Sequence, residues 1–122
     1  MARILVVEDE EALRVLAESI LEEMGHQTTT AATIEEAHVL LESQPKFDLL
    51  FTDIGLGENL QAGIELAVMA RERWPELPVL YTTGQGVTDG MKALFVDGFH
   101  FMSKPYTLDS LSVAVGNALP KD

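Results

Sequence analysis

Short apolar runs alternate along the chain with longer segments of mixed polarity. Four of the runs are rich in aliphatic or aromatic side chains, which is typical of strands buried on both faces of a parallel sheet. A further run, His26–Ala31, is polar and rich in threonine, which suits an edge strand. The pattern therefore predicts five strands: Arg3–Val7, His26–Ala31, Asp48–Thr52, Pro78–Thr82 and Phe99–Met102.

The segments between these strands place apolar residues three and four positions apart, which is the spacing of one helix face. Thr33 and Glu36 have the form of a capping box, Thr107 can cap the last helix, and Gly25 stands where a glycine commonly ends a helix. The predicted helices are Glu11–Met24, one from Thr33 to near Ser43, Ile64–Trp74, Val87–Phe95, and one that follows Thr107 and ends near Leu119.

Strands that alternate with helices predict an α/β fold, because helical crossovers join parallel strands and cover both faces of the sheet. The chain has 122 residues, 47% of them hydrophobic, which is enough for one core. We therefore expect residues 1–122 to form a single domain, a doubly wound sheet of five parallel strands with five helices. Ligands of such folds bind beyond the carboxyl ends of the strands.

The charge and composition narrow the classes of function. Acidic side chains outnumber basic ones by 20 to 8, giving a formal net charge of -12. This charge repels phosphate backbones and anionic lipid, so we expect no direct binding to nucleic acid or membranes. The absence of cysteine excludes disulfides and thiolate chemistry. No apolar run reaches the ~20 residues of a transmembrane helix, and the first residues lack the form of a signal peptide, which predicts a cytoplasmic location.

Side chains that can bind a metal or take part in a reaction lie where the predicted strands end. Glu8 and Asp9 follow strand 1, Asp53 follows strand 3, Thr83 follows strand 4 and Lys104 follows strand 5. Each has an ordinary explanation alone: the acids as helix caps or turn residues, the threonine as the cap of helix 4, and the lysine as a solvated charge. These explanations would have to hold independently at four strand ends, so a common site is favoured.

Three carboxylates at one sheet edge repel one another, since a unit-charge pair at about 4 Å costs about 4 kcal/mol at an effective dielectric near 20. A hard divalent cation relieves this repulsion, and Mg²⁺ prefers one or two carboxylates together with water and phosphate oxygens. Zinc is disfavoured, because His26, His38 and His100 are scattered and none falls beside the acids.

The order Glu8-Asp9, Asp53, Thr83-Gly84 and Lys104-Pro105 resembles the receiver domain of two-component response regulators. The resemblance covers nearly the whole chain, with all five signature positions occupied. It implies a flavodoxin-like sheet of strand order 2-1-3-4-5. It also implies the transfer of a phosphoryl group from a histidine kinase or a histidine phosphotransfer protein to an aspartate of this chain.

Several roles follow from the resemblance. Asp53 corresponds to the phosphoacceptor, and Glu8 and Asp9 correspond to ligands of Mg²⁺, together with Asp53 and the backbone carbonyl of Gly55. Lys104 corresponds to the cation that pairs with the phosphoryl oxygens. Metal and ammonium together would neutralise the carboxylate nucleophile and the incoming phosphoryl group. Such a protein is a phosphoacceptor that assists its own phosphorylation and dephosphorylation, and not an enzyme.

The resemblance further implies a conformational switch. Thr83 would hydrogen-bond to the phosphoryl oxygens, and Phe101 takes the place of the rotating aromatic. Three glycines (Gly84, Gly86 and Gly90) weaken the start of helix 4, so two arrangements of Gly84–Phe95 can lie close in energy. The partner surface would be helix 4, strand 5 and helix 5, including Met91, Lys92, Phe101 and Tyr106, on a monomer or weak homodimer.

The chain departs from the family pattern in the loop after strand 3. Gly57 stands where these domains usually have a proline, and Gly63 comes about two residues later than their usual glycine. The loop is therefore expected to be longer and looser. Phe101 stands where tyrosine is common in the family, so this position offers no hydroxyl to the switch. The segment Gly84-Gln85-Gly86 resembles a subgroup of stand-alone receivers.

Other classes explain the sequence less well. A phosphatase of the haloacid dehalogenase type needs a second aspartate two residues after Asp53, where Gly55 stands. A flavodoxin-like FMN module needs a phosphate loop after strand 1, where acidic residues would repel phosphate. Little sequence follows the last helix, so a single-domain regulator is expected, with a receiver excised from a hybrid kinase as the alternative. A non-phosphorylated receiver-like scaffold usually lacks the aspartate or lysine that this chain has.

Overall fold

The computed structural model describes residues 2–43, 46–84 and 86–120, and within them strands and helices alternate from end to end. None of the helices in these ranges has the length and apolarity needed to span a membrane. The elements are β1 (Arg3–Val7), α1 (Glu11–Glu23), β2 (Gln27–Ala31), α2 (Ile34–Ser43), β3 (Leu49–Asp53), α3 (Ala62–Arg73), β4 (Val79–Thr83), α4 (Asp89–Lys92), β5 (His100–Ser103) and α5 (Leu108–Ala118).

All strand pairs are parallel, and the sheet has the order β2-β1-β3-β4-β5, which confirms the predicted topology. The register aligns Val7 with Thr52, and it aligns Asp53 with Thr82 on the neighbouring strand. The carboxyl ends of β1, β3, β4 and β5 therefore lie along one edge of the sheet, where the sequence predicts a site.

Two apolar layers enclose the sheet, because alternate residues of each strand face opposite sides. Ile4 and Val6 of β1 pack in the layer with α1 and α5, whereas Leu5 and Val7 pack in the layer with α2 and α3. The three central strands are almost wholly buried, as their apolar runs predict. This double layer fixes the strand ends from both sides.

The predicted helix ends are largely confirmed. Gly25 has a φ of +94°, in the left-handed region that glycine adopts without strain. The Thr107 hydroxyl accepts a hydrogen bond from the Ser110 backbone N–H at 3.1 Å and forms a capping box. The Glu36 backbone N–H donates to the Thr33 hydroxyl, but the Glu36 carboxylate accepts from Ala32 N and not from Thr33 N.

The prediction for the fourth helix is wrong in extent. It predicted helix over Val87–Phe95, and α4 spans only Asp89–Lys92. Thr88, and not Thr83, caps it, because the Thr88 hydroxyl accepts from Met91 N at 3.1 Å. Gly90 lies inside the segment, and glycine costs up to about 1 kcal/mol relative to alanine in a helix. The turn Gly84-Gln85-Gly86 cannot be compared, because Gln85 lies outside the described residues.

Candidate functional site

Asp53 is the last residue of β3, and it is only 7% exposed. The chain leaves the strand directly after it, where Ile54 N donates to Thr82 O at 2.9 Å and Gly63 N donates to Ile54 O at 2.7 Å. The start of α3 is thus drawn against the backbone of Asp53. Its carboxylate is held at the sheet edge by fixed backbone on two sides.

Lys104 connects the acidic residues through one ammonium group. Its Nζ lies 2.7 Å from Asp53 Oδ2 and 2.7 Å from Glu8 Oε1. The Lys104 backbone N–H donates to Thr83 O at 2.9 Å, which fixes the residue beside the end of β4. The residues predicted at the ends of β1, β3, β4 and β5 are therefore brought together.

The two acidic residues after β1 have different environments. Glu8 is 2% exposed, and its Oε2 accepts a hydrogen bond from Glu10 N at 3.0 Å. Asp9 is exposed, and its Oδ2 accepts from Gly57 N at 2.8 Å. Glu8 thus belongs to the buried part of the site, whereas Asp9 faces solvent.

The electrostatic consequences follow from this division. Burial raises the pKa of Asp53 and of Glu8 above their ordinary values, although the hydrogen bond from Lys104 opposes the rise in both. Burial alone would raise the pKa of Asp9, but its hydrogen bonds, led by that from Gly57 N, lower it. Burial alone would lower the pKa of Lys104, but pairing with Asp53 and Glu8 raises it. The fold therefore disfavours the charged forms of the two buried acids.

The donor set suits a hard cation. Ligand oxygens of Glu8, Asp9 and Asp53 lie within 4.8 Å of one another, and no histidine joins this group in the described part of the chain. Carboxylate oxygens are the ligands that Mg²⁺ and Ca²⁺ prefer, whereas a structural zinc site uses nitrogen and sulfur. The residues present fit Mg²⁺, and the prediction against zinc agrees with this arrangement.

The loop after β3, which the sequence predicts to be longer and looser than in the family, is held together by hydrogen bonds. Leu56 and Asn59 exchange two backbone hydrogen bonds of 3.0 and 3.1 Å, with Gly57 at a φ of +61° between them. The Asn59 side chain accepts from Gln61 N at 3.0 Å and donates to Glu65 at 2.9 Å. Asn59 therefore organises the loop, since its side chain bonds to the backbone as asparagine commonly does in turns.

A cavity of about 480 Å³ opens beside Asp53. Thr83, which is buried, and Gly55 both line it, so these predicted residues share one space with the carboxylate. The loop supplies Leu60 and Gln61 to the same wall. The arrangement gives a buried acid, a paired ammonium and room for a small ligand beside them.

Phe101 lies one strand away from this cavity. It is half-buried against the apolar layer of α2 and α3, and its backbone is aligned with that of Tyr81. Tyr81 is fully buried, and its ring packs against Phe95 and Phe99 with centroids 4.4 and 6.1 Å away. The Tyr81 hydroxyl accepts a hydrogen bond from Val96 N at 3.2 Å. The segment between α4 and β5 is thus anchored to the centre of the sheet.

Three contacts were not foreseen from the sequence. They are the Gly57 N–H on Asp9, the Tyr81 hydroxyl on Val96, and the Tyr106 hydroxyl, which donates to Leu13 O at 2.9 Å. Burial raises the pKa of Tyr106 to about 12, and the charge of the nearby Glu8 carboxylate is the second cause of the rise. One signal was available for the first contact: glycine at position 57 supplies an N–H donor that proline lacks.

Known proteins show the same fold and sequence pattern. A family model described as the response regulator receiver domain matches residues 4–116. Response regulator protein PilR of Pseudomonas aeruginosa is 36% identical over 116 residues, which cover 94% of this chain and 25% of PilR. Nitrogen assimilation regulatory protein NtrX of Azorhizobium caulinodans is 31% identical, covering 95% of this chain and 26% of NtrX. The chain spans about a quarter of the length of these curated relatives.

Solved structures agree over nearly the full length of both chains. A response regulator receiver protein from Sinorhizobium medicae WSM419 superposes with a TM-score of 0.85 at 28% identity, covering 96% of this chain and 93% of that one. The receiver domain of the hybrid histidine kinase CckA gives a TM-score of 0.79 at 30% identity, covering 97% and 99%. The chain therefore belongs to the response regulator receiver domain family, whose members act in two-component phosphorelay signalling.

Proposed function

We propose that Asp53 accepts a phosphoryl group from a histidine kinase or a histidine phosphotransfer protein, and that residues 1–122 act as one receiver domain. The observation that carries the proposal is the position of Asp53 at the end of β3, with Lys104 Nζ at 2.7 Å and two further carboxylates in reach. Its carboxylate attacks phosphorus, the new O–P bond replaces the P–N bond of the donor, and the electron pair of that bond returns to the donor nitrogen.

Lys104 and Thr83 would supply hydrogen-bond donors to the phosphoryl oxygens. An ammonium group has three N–H donors. Lys104 Nζ donates one hydrogen bond to Asp53 and forms an ion pair with Glu8, and we assign a further N–H donor to a phosphoryl oxygen. Thr83 lines the same cavity and would donate to another phosphoryl oxygen. Charge-assisted hydrogen bonds of this kind favour the transferring group by position and electrostatics.

Glu8, Asp9 and Asp53, with the backbone carbonyl of Gly55, would hold Mg²⁺. When bound, Mg²⁺ supplies positive charge that offsets the carboxylates and the incoming phosphoryl group. The close approach of the three side chains supports this set. The chain serves as the acceptor and assists its own phosphorylation and dephosphorylation, rather than acting as an enzyme.

The signal would leave through the segment Gly84–Phe95 and Phe101. Support comes from the shortness of α4 and from its shallow anchoring, since none of its residues is buried. Drawing Thr83 toward a phosphoryl oxygen would shift this segment, because a hydrogen bond to a charged group contributes about 1.5–3 kcal/mol. The partner surface would then be α4, β5 and α5, with Met91 and Lys92 among its residues. Tyr106, which the sequence analysis also assigned to this surface, is only 4% exposed and packs in the core, so that assignment is wrong.

The test is intact-mass measurement after incubation with millimolar Mg²⁺ and phosphoramidate. The wild-type protein should gain one phosphoryl group, and Asp53→Asn should gain none. Asp97→Asn is the matched control, because Asp97 is exposed and precedes β5. It therefore lies near the amino ends of the parallel strands, whereas the site lies at their carboxyl ends. Its mass should increase as that of the wild type does. An unchanged wild-type mass would overturn the proposal, and so would equal phosphorylation of Asp53→Asn.

A further inference from the structure

The cavity beside Asp53 has a polar floor and an apolar rim. Asp53 and Thr83, which are both buried, form its deep part. Leu60 and Met91 line the same cavity and are partly open to solvent, with Leu60 70% exposed. The more exposed part of the cavity lining therefore includes one leucine and one methionine.

The backbone on both sides of Leu60 is hydrogen-bonded. Asn59 N donates to Leu56 O at 3.1 Å, and Gln61 N donates to the Asn59 side chain at 3.0 Å. The Leu60 backbone folds back over Gly55, since a Cβ on Gly55 would lie 3.5 Å from Leu60 Cα. A hydrogen-bonded loop thus presents an apolar side chain that the core does not use.

Met91 belongs to the same cavity lining. Its backbone N–H is bonded to the Thr88 cap, and its side chain packs partly against the layer of α2 and α3. A thioether adapts to irregular surfaces and makes favourable contacts with aromatic rings. Leu60 and Met91 together offer apolar surface that a flat ring can contact in the cavity that contains Asp53.

We propose that Leu60 and Met91 bind the imidazole ring of the phosphohistidine donor, an inference that rests on the proposed phosphoacceptor function of Asp53. In phosphoryl transfer the attacking and leaving atoms are roughly in line with phosphorus. With Asp53 on the cavity floor, the leaving nitrogen lies on the outward side, toward the rim. The O–P bond forms as the P–N bond breaks, and the ring leaves as neutral imidazole when its other nitrogen carries a proton.

Two small donors separate ring recognition from phosphoryl transfer. Monophosphoimidazole carries the ring, whereas phosphoramidate has ammonia in its place. We expect Leu60→Ser to lower the rate of phosphorylation by monophosphoimidazole about fivefold, which corresponds to about 1 kcal/mol. The rate with phosphoramidate should change less than about twofold, because that donor offers no ring surface to the rim.

Two variants control the measurement. Leu108→Ser makes the same substitution at a leucine that is 52% exposed on α5 and does not line the cavity, and both rates should stay at the wild-type level. Leu60→Met keeps an apolar side chain, and the rate with monophosphoimidazole should remain close to that of the wild type. Melting temperatures of all variants show whether any rate change reflects loss of fold.

Ring binding can also be measured in the absence of phosphoryl transfer. Monophosphoimidazole added to Asp53→Asn should shift the methyl resonances of Leu60 and Met91 through the ring current and leave those of Leu108 in place. The inference is overturned if Leu60→Ser changes both rates equally or neither, or if the wild type reacts with phosphoramidate alone. If the wild type reacts with neither donor, the proposed phosphoacceptor function fails as well.

Discussion

Gly63 lies where α3 begins, and an alanine at this position has no room. A Cβ on Gly63 would lie 1.8 Å from the backbone oxygen of Asp53, 2.8 Å from its carbonyl carbon and 3.0 Å from Ile54 Cα. All three are backbone atoms, so no side chain can rotate away. Gly63→Ala must therefore separate α3 from the end of β3 by more than about 1 Å, since non-bonded carbon atoms pack at about 3.5–4.0 Å.

Two costs add in this substitution. Overpacking a well-packed site typically costs about 1–3 kcal/mol. The hydrogen bond from Gly63 N to Ile54 O, now 2.7 Å long, would be stretched or lost, and such a bond contributes about 0.5–1.5 kcal/mol. We expect Gly63→Ala to lower the free energy of unfolding by about 3 kcal/mol, and the melting temperature by about 10 °C for a domain of this size.

Urea denaturation followed by circular dichroism measures the change. Gly116→Ala is the matched control, because Gly116 lies within α5 and a Cβ there meets no atom within 4 Å. Replacing a helical glycine by alanine should stabilise the protein by about 0.5–1 kcal/mol. If Gly63→Ala unfolds within about 0.5 kcal/mol of the wild type, the size of an ordinary surface substitution, the close approach of α3 to Asp53 is wrong.

The remaining predictions concern charge, hydroxyl and reporter groups. Without metal, Asp53→Asn should become more stable relative to the wild type as pH rises above about 4. The pKa of Asp53 is raised in the folded wild type, so its protonated carboxyl contributes stability at low pH that the wild type loses as this group ionises and that the variant does not lose. A constant difference in urea denaturation between pH 4 and pH 8 would contradict this. Lys104→Met should lose about 3 kcal/mol at pH 7, as for one partner of a buried ion pair, and less at pH 4; equal losses at both pH values would refute the pairing. Tyr81→Phe should cost about 1 kcal/mol and speed hydrogen exchange at the Val96 amide, and unchanged exchange there would exclude the hydrogen bond. Trp74 emission should not respond to Mg²⁺, because the 12 residues of α3 place it about 18 Å from the site end of the helix, and strong quenching would be inconsistent with this placement.

The sequence predicts the sheet well because its signals are periodic and each strand is bounded by turn residues. Four apolar runs and one threonine-rich run predicted the five strands to within one residue at each end. The threonine-rich run was assigned to an edge, and β2 lies at the edge of the sheet. The meeting of Glu8, Asp53 and Lys104 followed from parallel topology alone, since the carboxyl ends of parallel strands share one edge.

The sequence predicts local backbone contacts poorly. The segment from Val87 to Phe95 has helical spacing, but α4 covers only four of its residues, and Phe95 beyond the helix packs on the ring of Tyr81. The loop after β3 was expected to be loose because it is long and contains glycine. The loop is ordered by backbone N–H groups and by the Asn59 side chain. Because every residue except proline carries the same backbone N–H donor, the sequence does not indicate which of these donors form hydrogen bonds.

The charges of the site explain why this acidic edge can fold. One ammonium cannot neutralise three carboxylates. Asp53 and Glu8 share Lys104, whereas Glu8 also accepts a hydrogen bond from Glu10 N and Asp9 accepts one from Gly57 N. The pairing does not fully offset burial, since the pKa values of Asp53 and Glu8 remain raised. Removing a buried carboxylate and removing its ammonium should therefore change stability in opposite directions. Burying both acids lowers the stability of the fold, so stability alone does not account for this arrangement. A desolvated carboxylate at this place is suited to binding ligands that neutralise its charge.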